Sequence, residues 1–103
     1  MLIARWQIDA RFGHKQTVID MLNRWGQTIA PQIGWKPEQG RLLTGSIGTR
    51  EATVVHEWSV ETLADLEQAW AALSKIEAHR TWGQDLEPHV VSGTSRWEIL
   101  RVV

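Results

Sequence analysis

The spacing of hydrophobic residues changes once within the first 30 positions, from two to about four. Residues 2–10 alternate, which is typical of a β-strand with one face on a core. Residues 14–30 then carry an apolar stripe at helical spacing, and Pro31 ends the predicted helix. The strand has a wholly apolar face of Leu2, Ala4, Trp6 and Ile8 and a mixed face of Ile3, Arg5, Gln7 and Asp9. We expect the apolar face to meet helices.

The central third of the chain predicts a loop and two strands. Residues 31–40 contain two prolines and two glycines, so we expect a loop, with Trp35 either tucked beneath it or in contact with another subunit. Residues 41–48 and 52–59 are predicted strands joined by a short turn. Two glycines interrupt the first of these, which favours an edge strand or a bulge.

The last third predicts a second helical region and a closing strand. Ser59 is the expected helix N-cap, and the apolar stripe that follows it is Leu63, Leu66, Trp70 and Leu73. A short helix is expected near residues 79–86, where Pro88 stops it. A final strand is predicted over residues 95–102 because its apolar and charged positions alternate.

The resulting order, β-α-β-β-α-β, is that of the ferredoxin-like α+β fold, a four-stranded antiparallel sheet with both helices on one face. No linker divides residues 1–103, so a single domain is expected. The other sheet face mixes apolar and charged residues and is too apolar to remain bare. We therefore expect two copies to pack these faces together as a homodimeric barrel with a cavity inside.

Composition excludes several classes of protein. The formal net charge is −1 and basic residues are scattered, which argues against nucleic-acid binding. The chain has no cysteine and no long apolar segment, so thiol chemistry and a membrane span are not expected, and a cytoplasmic location is the default. Seven tryptophans stand against one phenylalanine and no tyrosine. These rings either fill cores and interfaces or wall a cavity for a flat apolar ligand.

Several segments together resemble a known superfamily. They are residues 12–15, 54–58, 59–73, Trp82, 86–91 and 96–100. NIPSNAP-like proteins of the dimeric α+β barrel superfamily similarly end the third strand with a tryptophan, carry an Ala-Trp pair on the next helix and a tryptophan near its end, and close with a strand. The resemblance implies the fold and a homodimer, and it implies no particular reaction.

A second resemblance is to the haem-degrading monooxygenases of the same superfamily. They use an Asn on the first strand and a Trp and a His on the second helical segment; Gln7, Trp70 and His79 are the similar positions here. The Trp-to-His spacing is one residue short, and one residue rotates a side chain by about 100° on a helix, which argues against convergence of Trp70 and His79. Cofactor-independent quinone-forming monooxygenases are a broader alternative.

Candidate chemistry rests on few residues. His56 and His79 are the candidate catalytic groups because His titrates near neutral pH, although a hydrogen-bonded barrel or interface histidine is the more common role for a residue placed like His56. The expected ligand-binding residues are Arg5, Gln7, Glu57, Trp58 and Trp82. Arg5 could hold an oxyanion or pair with a carboxylate such as Glu57. The face of the third strand that lines the cavity, either His56 and Trp58 or Val55 and Glu57, stays open.

The leading hypothesis is a NIPSNAP-like protein that handles a compact apolar or aromatic small molecule. The alternatives are a cofactor-independent or haem-degrading monooxygenase and a non-catalytic dimeric binding module. No metal site is expected, and no cofactor other than the haem of that alternative. The site is expected between the mixed sheet face and the end of the second helix.

Overall fold

The structure is a computed structural model that describes residues 1–103. Its strands are β1 (Leu2–Asp9), β2 (Gly40–Thr44), β3 (Thr53–Val60) and β4 (Arg96–Arg101), and its α-helices are α1 (Lys15–Thr28), α2 (Leu63–Leu73) and α3 (Glu77–Leu86). Short 3₁₀ turns lie at Ala30–Ile33, Pro37–Gln39 and Glu87–His89. None of the helices combines the length and apolar character that crossing a membrane requires.

The four strands form one antiparallel sheet in the order β2-β3-β1-β4. This order is that of the ferredoxin-like α+β fold, so the predicted fold is confirmed. The two longest strands, β1 and β3, occupy the centre, and the shorter β2 and β4 form the edges.

Strand register determines which side chains share a face. Trp6 lies opposite His56 on one side and Trp97 on the other, and Ala4 lies opposite Trp58. These residues face the helices. Arg5, one position along, lies opposite Glu57 and Glu98 on the helix-free face, which we call the open face. The predicted division of β1 is correct, and the ambiguity in β3 is resolved with His56 and Trp58 towards the helices.

Two predicted boundaries were wrong for local reasons. The strand predicted over 41–48 ends at Thr44, because the chain turns back at Gly45 so closely that a Cβ there would lie 1.8 Å from the carbonyl oxygen of Arg50. Ser59 lies inside β3, and Thr62 is the helix cap instead, with its side chain accepting a 3.1 Å hydrogen bond from the amide of Asp65.

The second helical region is two helices. α2 ends at Leu73, and three residues separate it from the start of α3 at Glu77. Because of this break, the two helices approach the sheet at separate positions, and the rotation expected for one continuous helix does not apply between them.

Trp35 is buried beneath the loop that contains it. Its ring lies 5.2 Å from that of Trp58 and 6.3 Å from that of Trp25, and it is 6% exposed. Of the two positions expected for Trp35, the structure therefore shows the one inside the same chain, where its ring packs against that of Trp58.

Gly40 provides the space that Trp58 occupies. A Cβ at Gly40 would lie 2.7 Å from the six-membered ring of Trp58. We therefore expect Gly40→Ala to lower the free energy of unfolding by about 1–3 kcal/mol through overpacking. Gly83→Ala is the matched control, because a Cβ there meets nothing within 4 Å and alanine favours the helix. Urea unfolding of both variants checks this; equal stability of the two would contradict it.

Candidate functional site

A cavity of about 500 Å³ lies between the helix-covered sheet face and the three helices. Six of the seven tryptophans line it: Trp6, Trp25, Trp58, Trp70, Trp82 and Trp97. The other lining residues are Ile8, His56, Leu73, Ser74, His79, Gly83, Leu86, Glu87, Val90 and Ser95. Trp70 and Trp97 are 36% and 41% exposed and pack edge to face, with ring centroids 5.3 Å apart. They form the outer part of the wall.

Trp25 is the centre of the inner wall. It lies on α1 as part of the apolar stripe that the helical period predicts, and it is buried. Its ring centroid lies 5.8 Å from that of Trp58, 5.9 Å from His56 and 6.1 Å from His79, each in an edge-on arrangement. Edge-to-face contacts of this kind are favoured by the ring quadrupoles and fix the orientation of the rings.

Two indole hydrogen bonds join α1 to α3 in opposite directions. The indole N–H of Trp25 donates to Nδ1 of His79 over 2.9 Å, and that of Trp82 donates to the carbonyl oxygen of Met21 over 2.8 Å. A buried indole N–H needs a partner, and here each helix supplies the partner for the other. These bonds determine the separation of α1 and α3.

The bond from Trp25 also determines the tautomer of His79. An indole nitrogen can only donate, so Nδ1 of His79 must accept and carries no proton. The proton of the neutral ring therefore lies on Nε2. Partial burial lowers the pKa of His79 below its ordinary value, which favours this neutral form.

His56 is held by packing alone. It lies on β3 with its ring between those of Trp25 and Trp58, is 6% exposed, and its side chain forms no hydrogen bond to another residue. Nε of Arg5, which forms an ion pair with Glu57 but no well-aligned hydrogen bond, is the only fully buried side-chain nitrogen or oxygen without a hydrogen bond. Both ring nitrogens of His56 therefore keep some accessible surface, and His56 is one of the residues that line the cavity. Burial lowers the pKa of His56 to about 4, so it is neutral near pH 7.

The structure separates the sequence-predicted site residues into two groups. His56, His79, Trp58 and Trp82 line the cavity. The expected polar partners, Arg5, Gln7 and Glu57, lie on the open face of the sheet. A site between two paired open faces stays a prediction. The cavity within this chain lies instead under the helix-covered face, because three short helices leave a space there between the tryptophans of the sheet and those of α2 and α3.

On the open face, Glu57 holds two arginines. Its Oε1 accepts a 2.8 Å hydrogen bond from Nε of Arg41, and its Oε2 lies 3.0 Å from Nε of Arg5. Glu57 is 8% exposed although no helix covers it, and the guanidinium groups of Arg5 and Arg41 contact its two carboxylate oxygens. Arg5 is thus paired with a carboxylate, which is the second of the two roles that the sequence allowed.

Sequence reasoning missed part of the wall. Trp6 and Trp97 were predicted to be strand residues, and their place opposite each other becomes visible only from the register of β1 and β4. Trp70 and His79, expected to diverge, both line the cavity because they lie on separate helices. The one signal in the sequence was the excess of tryptophan itself.

The residues present do not fit haem. A histidine that ligates iron presents an unprotonated nitrogen to the metal, whereas Nδ1 of His79 accepts from Trp25 and Nε2 carries the proton. His56 keeps an unprotonated nitrogen, but its ring is only 6% exposed and packs between those of Trp25 and Trp58. No lysine or arginine lines the cavity to pair with the carboxylates of haem, and Gln7 lies on the opposite sheet face. No group of three or more His, Cys, Asp or Glu side chains is arranged to hold a metal ion.

Comparison with known proteins shows the fold. No protein-family model and no curated protein matches the sequence. Among solved structures, a NIPSNAP family protein from Agrobacterium tumefaciens is similar with a TM-score of 0.79 at 19% identity, over 99% of this chain and 92% of that one. A NIPSNAP-like domain protein from Burkholderia xenovorans has a TM-score of 0.72 at 24% identity, over 99% and 84%. An antibiotic biosynthesis monooxygenase has a TM-score of 0.68 at 11% identity, over 100% and 99%. The chain shares its fold with these proteins.

The depressed pKa of His56 makes stability depend on pH. The unfolded chain takes up the proton near pH 6.5 and the folded chain only near pH 4. We expect roughly 3 kcal/mol of unfolding free energy to be lost as pH falls through this window, since the unfolded state binds the extra proton. Urea unfolding of the wild type and of His56→Phe between these pH values checks this.

The expected result is a flatter pH profile for His56→Phe. A proton NMR titration of the ring is the direct control, because the His56 resonance should shift only below about pH 5 in the folded protein and near its ordinary pKa in urea. A folded-state titration near pH 6.5 would contradict the burial argument.

Proposed function

We propose that the protein binds a compact apolar or aromatic small molecule in the cavity between its sheet and its helices. The observation that carries this proposal is the wall of six tryptophans around about 500 Å³ of space. Ligand sites in proteins have volumes of roughly 300–1,000 Å³ and are lined mainly by apolar and aromatic side chains with a few polar groups. His56 and His79 are those polar groups here.

The cavity is suited to binding more than to proton transfer. A general acid or base works best with a pKa near the operating pH. Burial holds the pKa of His56 at about 4. The unprotonated nitrogen of His79, Nδ1, already accepts a hydrogen bond from Trp25 and is not available as a base. The geometry therefore supports hydrogen-bonding roles for both histidines, as a donor or an acceptor to a ligand, ahead of the catalytic roles that the sequence suggested.

A cofactor-independent monooxygenase is the second candidate. It is favoured by the fold that the chain shares with an antibiotic biosynthesis monooxygenase, together with an aromatic cavity in which no residues fit haem. Such chemistry requires a substrate that itself reacts with oxygen, held in a shaped cavity. Oxygen consumption by the protein with its bound ring compound, above that of the compound alone, would distinguish this candidate from a binding module.

We also propose that the open face meets a second copy of the chain. No helix covers this face, and it combines the nearly buried Glu57 and its arginines with apolar residues such as Leu100, which is 46% exposed. Packing two such faces together would bury the apolar residues and leave the cavity of each copy on its outer side.

Binding can be blocked from inside the cavity. Gly83 of α3 lines it, and a Cβ at this position would enter open space. We expect Gly83→Phe to reduce the affinity for naphthalene by at least about tenfold, because its ring takes up part of the volume that the ligand needs. NMR shift titration or calorimetry measures this affinity.

Two control variants define that experiment. Gly83→Ala leaves most of the volume free, and Gln84→Phe places the same ring on the exposed side of α3. Both should bind naphthalene as the wild type does. If the wild type itself binds no aromatic probe, the proposed function is wrong.

The pairing of open faces predicts a dimer at micromolar concentration by light scattering. Leu100→Glu should yield a monomer, because it adds a charge to the apolar part of the contact. Leu63→Glu is the matched control: Leu63 is 58% exposed but lies on α2, away from that face. A monomeric wild type, or equal disruption by both variants, would exclude this interface.

A further inference from the structure

The two histidines of the cavity differ in what they offer a ligand. Trp25 occupies Nδ1 of His79, so the neutral ring has one remaining group, the Nε2–H, which donates. No other residue hydrogen-bonds to the ring of His56, which lines the cavity, so the neutral ring keeps one donor and one acceptor nitrogen. An acceptor nitrogen is thus available on His56 and absent on His79.

The cavity carries little charge. Its lining contains no lysine or arginine, and its one ionisable group besides the histidines is the exposed Glu87. An anionic ligand would lose its hydration without gaining a cationic partner, which costs several kcal/mol in a buried site. The imidazolium form of His56 would face the same cost, so the histidines do not supply that partner.

We propose that this cavity selects uncharged aromatic compounds that accept a hydrogen bond from His79 and donate one to His56, with Trp25 as the residue that fixes His79 as a donor. This inference rests on the proposed function, because it names the class of ligand for the same cavity. It assigns Trp25 a positioning role in addition to its place in the core.

The contrasting possibility is that the bond between Trp25 and His79 only holds α1 against α3. A purely structural bond would leave ligand selectivity unchanged when the donor is removed and the fold persists. The positioning role requires the tautomer and the selectivity to change together. Two measurements separate these cases.

The first measurement is the tautomer of His79, from two-bond and three-bond ¹⁵N–¹H correlations of histidine-labelled protein at neutral pH. We expect an unprotonated Nδ1 and a protonated Nε2 in the wild type. In Trp25→Phe, which loses the donor, the ring should become a mixture of tautomers, whereas Trp70→Phe should leave the tautomer unchanged. A proton on Nδ1 in the wild type would overturn the proposal, and this outcome does not depend on whether Trp25→Phe folds.

The second measurement is calorimetry with four matched probes: naphthalene, 2-methoxynaphthalene, 2-naphthol and 2-naphthoate. The naphthol both donates and accepts, the methoxy compound only accepts, and the naphthoate is an anion. We expect the naphthol to bind about tenfold tighter than naphthalene, the methoxy compound to lie between them, and the naphthoate to bind at least about tenfold more weakly than the naphthol. His79→Phe should reduce the preference of naphthol over naphthalene.

The outcomes distinguish this proposal from the one on which it rests. Equal binding of naphthalene, naphthol and naphthoate would overturn the selectivity and leave a general aromatic site. Tighter binding of the naphthoate would overturn the requirement for an uncharged ligand. Failure of all four probes to bind would overturn the proposed function together with this inference.

Discussion

The hydrogen bond from Trp25 to His79 is the interaction on which the cavity depends. A buried indole N–H without a partner costs on the order of 1–3 kcal/mol, so α3 must lie where His79 reaches Trp25. The reverse bond, from Trp82 to Met21, imposes the same spacing from the other side. No side-chain hydrogen bond joins α2 to either helix. α2 therefore packs by its apolar stripe alone, and the space left beside it is the cavity.

The choice of tryptophan explains why that space persists. A cavity walled by Leu or Met could be filled by rotamer changes of its own lining, because these side chains are flexible. The indole rings here are large and rigid, and Trp25 restricts two of them, through an edge-on contact with Trp58 and a tilted contact with Trp82. A wall that does not rearrange loses little conformational entropy when a ligand binds, which is the physical basis of pre-organisation.

Sequence patterns predict the strands and helices because the spacing of apolar residues depends only on the local backbone conformation. The alternation in β1 identified its two faces correctly, since one set was wholly apolar. The same reasoning could not orient β3, because both of its faces carry large side chains: His56 and Trp58 on one and Val55 and Glu57 on the other. The cavity could not be predicted from the sequence pattern. Periodicity shows which residues face the helices, but it does not show how completely the helices fill the space above the sheet.

The charged residues of the open face still serve the cavity, through the register of the sheet. A slip of one residue between β1 and β3 would exchange the faces and turn His56 and Trp58 away from the helices. Glu57 lies opposite Arg5 on one neighbouring strand and Arg41 on the other, so a slip in either pair would leave this nearly buried carboxylate without a partner. The ion pairs therefore disfavour the slipped register, and they do so from the sheet face opposite the cavity. Arg5 and Glu57, which the sequence suggested as ligand-binding residues, thus stabilise the strand register that places His56 and Trp58 beside the cavity.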